Sequence, residues 1–133
     1  MKDKIRESSR ELEATEGEKV YITSYDGLRL SGTYYHFRDG APLDIIFHGY
    51  RSGTVSDCGG GFVLARDLGH NVLLPDHRAH GESEGCTITF GIKERFDAKA
   101  WADYAYNRFG DKVPLILTGI SMGASTVLMA SGL

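Results

Sequence analysis

Short apolar runs alternate along the chain with longer polar or amphipathic stretches. Three runs are mostly apolar and are bounded by loops, at residues 43–47 (LDIIF), 71–75 (NVLLP) and 113–118 (VPLILT). Strands that lack a polar face are typical of a parallel sheet covered by helices on both sides. We therefore predict three buried strands, separated by segments long enough to cross from one strand to the next.

Helices are expected between and after these strands, over residues 62–68, 93–109 and 122–131. The second of them carries apolar side chains at helical spacing, which predicts one buried face. These side chains are Ala98, Trp101, Ala102, Ala105 and Phe109. The stretch HGYRSGTVSDCGGG, which follows the first buried strand, is interpreted as a long loop.

A β-hairpin is expected before the buried strands. Residues 20–25 and 28–37 are rich in Val, Ile, Thr and Tyr, and Asp26-Gly27 between them favours a tight two-residue turn. The prediction is an α/β fold: a doubly wound, mostly parallel sheet that begins with an antiparallel hairpin. Residues 1–17 form an N-terminal arm with a weakly anchored helix over 3–14, and residues 18–133 form the domain.

Composition narrows the function classes. The 133 residues carry a net charge of −3 and are 41% hydrophobic, so no basic footprint indicates nucleic acid or a membrane surface. The charged start lacks the apolar core of a secretory signal, and no apolar run has the length of a membrane span. Cys58 and Cys86 lack metal-ligand spacing. We expect a cytoplasmic protein with free thiols and no metal.

The segment Gly119-Ile120-Ser121-Met122-Gly123 matches the pattern G-x-S-x-G. It follows a predicted buried strand and opens a predicted helix, which is the context of a nucleophile elbow. Small neighbours are needed because the turn is sharp, and Gly119 and Gly123 meet that need. Ser121 is therefore the candidate nucleophile, and its place at a helix N-terminus favours a developing negative charge.

A second motif, His48-Gly49-Tyr50, comes directly after the first buried strand. Acyl transfer generates an oxyanion, which needs two positioned donors. The backbone N–H groups of Tyr50 and Met122 are the candidates, and Gly49 allows the backbone to approach closely. His48 is interpreted as a structural residue that hydrogen-bonds the loop backbone, with a minor alternative as an improvised base.

The third motif is DHRAHGESEG at residues 76–85. With the other two motifs in this order, the chain resembles the α/β-hydrolase family of serine hydrolases, and most closely small bacterial esterase- or peptidase-like members. Members commonly carry D-x-R-G-x-G-x-S-x-G here, so Ala79 stands where the family usually has Gly. Asp76, Arg78 and Ser83 are interpreted as residues that shape this loop.

The resemblance implies the strand order 1-2-4-3-5-6-7-8, with the nucleophile at the end of strand 5. It also implies a Ser–acid–His triad, no cofactor, and hydrolysis of an ester, thioester or amide through an acyl-enzyme. In the family the acid and the His follow the nucleophile, whereas 12 residues follow Ser121 here. We therefore expect a truncated fold that ends just after the elbow, the N-terminal half of a hydrolase domain.

Strand 5 would then be the outermost strand of the sheet, and its apolar outer side would have no neighbouring strand to pair with. We expect self-association or a complementing C-terminal segment, and an inactive chain in isolation. Three functions remain open: a serine hydrolase of small-molecule esters or amides, a non-enzymatic binding or assembly module, and a related acyltransferase. Arg51 is a further candidate, at the substrate entrance, where it would favour an anionic acyl group.

Overall fold

The structure, a computed structural model, describes residues 2–49, 54–89, 91–120 and 122–133. Four helices and five strands form within these ranges. In chain order they are α1 (Lys2–Ala14), β1 (Glu18–Thr23), β2 (Arg29–Tyr35), β3 (Leu43–Phe47), α2 (Thr54–Asp67), β4 (Asn71–Pro75), α3 (Glu94–Phe109), β5 (Leu115–Gly119) and α4 (Met122–Ala130).

The five strands form one sheet in the order β1-β2-β4-β3-β5. This order confirms the first five positions that the family resemblance implied. The sheet is mixed, because β2 pairs antiparallel with both β1 and β4, while β3 pairs parallel with β4 and β5. The expectation of a mostly parallel sheet is therefore corrected, because two of the described strand pairings are parallel and two are antiparallel. Among the described strands, only β2 runs in the opposite direction to the others.

Helices cover both faces of the sheet, as a doubly wound fold requires. On one face Trp101 and its α3 neighbours pack on the inward side chains of β2, β3 and β4. Trp101 is 1% exposed, and the predicted stripe is buried at Ala98, Trp101 and Ala105. On the opposite face α2 packs through Cys58, Phe62 and Ala65 on the other side of the same strands. The alternation of side chains along each strand divides the core into these two layers.

The N-terminal helix is better anchored than its sequence indicates. Leu12 is 1% exposed and belongs to the same buried cluster as Phe62 of α2. The expectation of a weakly anchored helix is therefore wrong at this position. The few apolar residues of this charged segment give little periodicity from which to predict a buried face.

Helix α2 begins at Thr54, eight residues before the predicted start, and absorbs the segment TVSDCGGG. The prediction of a long loop up to residue 61 is therefore wrong. Glycine is unfavourable inside a helix, but two of these glycines meet close neighbours. A Cβ at Gly59 would lie 2.9 Å from the Ser9 nitrogen of α1, and one at Gly61 would lie 3.1 Å from Ile46 Cδ1. Tertiary packing overrides the local preference.

The hairpin turn also differs from its prediction. The Ser24 N–H donates to the Leu28 carbonyl (2.8 Å) and the Gly27 N–H donates to the Ser24 carbonyl (3.0 Å), which leaves three residues in the loop. Gly27 has a φ of 87°, as expected for a turn followed by a left-handed residue. The predicted two-residue turn is corrected to this three-residue loop, closed further by the Leu28 N–H on Ser24 Oγ (2.9 Å).

Two adjacent glycines in α2 provide a matched test of this packing. Gly59→Ala places a methyl group against the backbone of α1, and we expect it to lower the free energy of unfolding by about 1–3 kcal/mol. Gly60→Ala is the control, because a Cβ there meets nothing within 4 Å. It should raise stability by about 0.8–1 kcal/mol through helix propensity. Urea denaturation measures both, and equal effects of the two substitutions would contradict the packing.

Candidate active site

The candidate site lies at the edge of the sheet where the parallel strands β3, β4 and β5 end. The carboxyl ends of parallel strands meet at one edge, where ligands bind in open α/β sheets. The loops that leave this edge carry the three sequence motifs, starting at His48, Asp76 and Ile120. The fold therefore gathers at one end three motifs that are separated along the chain.

The turn after β5 is shaped by two glycines. A Cβ built at Gly119 would overlap the backbone of Gly123 and Ala124, and one built at Gly123 would overlap the Phe47 carbonyl of β3. The Ile120 N–H donates to that same carbonyl (3.0 Å), and the Gly123 N–H donates to the Ile120 carbonyl (3.0 Å). A strand, a tight turn and a helix thus follow one another within a few residues, and neither glycine position has room for a side chain.

Three of the predicted site residues, Tyr50, Arg51 and Ser121, lie outside the described residues. Met122 is the first residue of α4. Gly49 follows β3, and its N–H donates to Asp57 Oδ2 in the first turn of α2 (2.6 Å). Sequence reasoning missed Asp57, which fixes the start of the loop after β3. Its position nine residues after His48 carries no recognisable motif.

His48 is buried, and both of its ring nitrogens are engaged. Nε2 accepts from the His77 N–H (3.0 Å), and Nδ1 lies 2.8 Å from the Gly49 carbonyl, to which it donates. Burial lowers the pKa of His48 and favours the neutral ring. The structural interpretation of His48 is confirmed, because neither nitrogen is left for a substrate proton.

His77 is a further buried histidine that sequence reasoning left without a role. It is 3% exposed, and its Nε2 donates to the His48 carbonyl (2.8 Å). Burial lowers the pKa of His77 to about 4, and the neighbouring His48 ring adds to the effect. The two rings meet edge to face with centroids 4.5 Å apart, and His80 lies 5.0 Å from His48.

The loop after β4 is held against β2 by side-chain hydrogen bonds. Ser83 Oγ donates to the Asp76 carbonyl (2.8 Å) and accepts from the Ser31 N–H (2.8 Å). Ser31 Oγ donates in turn to Asp76 Oδ2 (2.9 Å). The interpretation of Asp76 and Ser83 as loop-shaping residues is confirmed. The same loop holds Ala79 at a φ of 64°, a left-handed conformation that costs an alanine about 1–2 kcal/mol relative to glycine.

Arg78 occupies the centre of a buried ionic cluster. Its guanidinium donates two hydrogen bonds to Asp97 of α3 (both 2.7 Å) and two to Asp26 of the hairpin turn (2.9 and 3.0 Å). Only 2% of its side chain is exposed. Arg78 is thus a loop-shaping residue, as predicted. The sequence did not predict that Asp26 and Asp97 pair with Arg78, because they lie 52 and 19 residues away from it and no motif connects them.

Neither a metal centre nor a membrane span emerges from the described ranges. No three His, Cys, Asp or Glu side chains there are grouped so that they could hold a metal ion. No helix among the same residues combines the length and the apolar character needed to cross a bilayer.

Comparison with known proteins gives relatives but no matching family model. YqkD of Bacillus subtilis, an uncharacterized protein, is 32% identical over 128 residues, which are 96% of this chain and 41% of that protein. Esterase Pf2001 of Pyrococcus furiosus superposes with a TM-score of 0.78 at 32% identity, over 91% of this chain and 47% of the esterase. The α/β hydrolase GrgF from Penicillium sp. sh18 gives 0.75 at 22% identity, over 88% and 42%.

The chain therefore has the fold of α/β hydrolases, and the resemblance stated from its motifs is confirmed. The match extends over about nine-tenths of the chain. The chain spans somewhat less than half the length of these relatives.

The ionic cluster generates a pH-dependent prediction. Hydrogen bonds from Arg78 hold the pKa of Asp26 well below its unfolded value of about 3.9. The contribution of this ion pair to stability is therefore full above about pH 4 and declines as the pH falls from there towards the folded-state pKa. Because Asp26 is exposed and solvent screens the pair, Asp26→Asn should lower the free energy of unfolding at pH 7 by about 0.5–1 kcal/mol. When the pH falls from 5 to 3, the Asp26→Asn protein should lose less stability than the unchanged protein does.

Asp103→Asn is the control for this comparison, because Asp103 pairs with Lys99 at an exposed site. We expect it to change stability by less than about 0.5 kcal/mol. Urea titrations at both pH values measure the effect. Equal acid sensitivity of the Asp26→Asn and unchanged proteins would show that the cluster does not contribute as described.

Proposed function

We propose that this chain carries the nucleophile and the oxyanion hole of a serine hydrolase that cleaves ester, thioester or amide bonds through an acyl-enzyme. The observation that carries the proposal is the strand–turn–helix after β5, with glycines at 119 and 123 where no side chain fits. A nucleophile elbow needs this geometry, and Ser121 occupies the central position of the motif.

The surroundings of the turn support acyl transfer. The N-terminus of α4 begins at Met122, so its unpaired N–H groups and its dipole favour a negative charge beside Ser121. The loop after β3 starts at the same sheet edge, and Gly49 leads into Tyr50. Met122 and Tyr50 are the proposed donors to the oxyanion. Attack by the serine hydroxyl on the substrate carbonyl then forms the acyl-enzyme and breaks the bond to the alcohol, thiol or amine, which leaves with the serine proton. Water hydrolyses the acyl-enzyme, which releases the acid and restores the serine hydroxyl.

The general base and its acid are proposed to come from residues beyond these 133. His48 and His77 are engaged as described, and His36 and His70 lie at the opposite end of the sheet. A serine hydroxyl without a base is a weak nucleophile. The comparison proteins are about twice as long as this chain, which supports a segment that follows the nucleophile.

The edge of β5 is the proposed docking place for that segment. Ile116 is 39% exposed on this strand, and apolar grooves flank both of its faces. One groove, of about 310 Å³, lies between Ile116 and Leu64 of α2. The other, of about 290 Å³, lies between Leu117 and Val127 of α4. A sixth strand with its helices would cover these surfaces, and pairing with a second copy is the alternative outcome.

The test compares two serines of the same region in the full-length protein. Ser121→Ala should reduce kcat for p-nitrophenyl ester hydrolysis by at least about 10³-fold, because the nucleophile is lost. Ser125→Ala, in the same helix, should leave kcat within about threefold of the unchanged protein, because it removes no reacting group. Full activity in Ser121→Ala would contradict the proposal. Ester products formed with added alcohols would indicate an acyltransferase, and ligand binding without turnover would indicate a binding module.

A further inference from the structure

We propose that His48 and His77 are positioning residues, joined in a clasp that holds the start of the loop after β3, which leads to the proposed oxyanion donor, against the loop after β4. This inference rests on the proposed function, since it assigns a role at the same site. It goes beyond the family motifs, because His77 occupies a variable position of the D-x-R segment. It also accounts for two buried histidines that the reaction itself does not use.

The clasp consists of two hydrogen bonds between the loops after β3 and β4, both donated by His77 and accepted by His48. The His77 N–H donates to His48 Nε2 (3.0 Å), and His77 Nε2 donates to the His48 carbonyl (2.8 Å). His48 is fully buried and His77 is 3% exposed. Buried polar groups that lose a partner are costly, so the two loops are held in one relative position.

A third hydrogen bond joins the His48 ring to the backbone of Gly49, the next residue in the chain. Because His48 Nε2 accepts from a backbone N–H, the ring proton must lie on Nδ1. That proton is donated to the Gly49 carbonyl (2.8 Å). The His48 ring therefore also fixes the Gly49 carbonyl at the start of the loop after β3.

The clasp requires the His48 imidazole to be neutral, whereas His77 can donate from Nε2 in either protonation state. A doubly protonated His48 would present a donor to the His77 N–H, and the bond would be lost. Burial lowers the pKa of both rings and keeps them neutral at pH 7. The charged or titratable groups around them are His80, Asp76, Asp57 and Glu94. The Phe47 ring stacks on His77 with centroids 5.8 Å apart and excludes water from that side.

The first test reads the tautomers directly and needs no activity. In ¹⁵N-histidine-labelled chain at pH 7, long-range ¹H–¹⁵N correlation should place the proton of His48 on Nδ1 and that of His77 on Nε2. The opposite tautomer on either residue, or a charged ring on His48, would overturn the proposal. This experiment remains decisive even if a substituted chain fails to fold.

The second test separates positioning from packing in the full-length protein. His77→Leu removes the bond to the His48 carbonyl, and we expect kcat to fall by about 10- to 100-fold with KM within about twofold, because orientation matters in the transition state. His77→Gln places an amide N–H near the Nε2 position and should restore kcat to within about threefold. Unchanged kcat in His77→Leu, or equal losses in both variants, would overturn the proposal.

The proposed hydrolase function and the proposed positioning role can be disproved separately. If Ser121→Ala retains turnover, the proposed hydrolase is wrong, while the tautomers still decide whether the clasp exists. If Ser121→Ala is inactive and His77→Leu has full kcat, the hydrolase stands and the positioning role is wrong.

Discussion

The first turn of α4 lies directly against the end of β3, and no side chain fits at the contact. Position 123 faces the Phe47 carbonyl, and position 119 faces the backbone of the first turn of α4. Because both close neighbours are backbone, they cannot move aside as a flexible side chain could. This contact fixes where β5 ends, how sharply the chain turns and where α4 begins. Glycines two residues before and two residues after the proposed nucleophile thus allow this tight turn.

Hydrogen bonds fix the other two loops at this end of the sheet, which follow β3 and β4. Gly49 is held by Asp57, His48 by His77, and Ser83 by β2. These bonds tie the loop after β3 to α2 and to the loop after β4. At the periphery, Arg78 joins that second loop to the hairpin turn and to α3. Steric fit thus sets the turn after β5, while buried polar contacts set the two loops that face it.

Local signals in the sequence were sufficient for part of this structure. The runs at 43–47 and 71–75 form strands with the predicted bounds, because apolar β-formers lie there between turn residues. The G-x-S-x-G segment was correctly placed between a strand and a helix, since its glycines mark a tight turn. The strand order followed from the resemblance and not from periodicity.

Contacts distant in sequence account for what was missed. The glycines of α2 look like a loop until α1 packs against Gly59, and Leu12 looks isolated until its partners are known. Asp26 was interpreted only as a turn residue, whereas its carboxylate pairs with Arg78. The role of His77 depends on a backbone carbonyl 29 residues away. Such pairings are set by topology, and no local pattern encodes them.

The most direct measurement is peptide mapping of the full-length protein after reaction with a fluorophosphonate probe. If the turn after β5 is a nucleophile elbow, the adduct will be found on Ser121, because only an activated serine attacks the phosphorus rapidly. The neighbouring Ser125, in the same helix, should remain unmodified. An adduct on another residue, or ester hydrolysis by a protein that the probe leaves unmodified at Ser121, would contradict the assignment of the nucleophile.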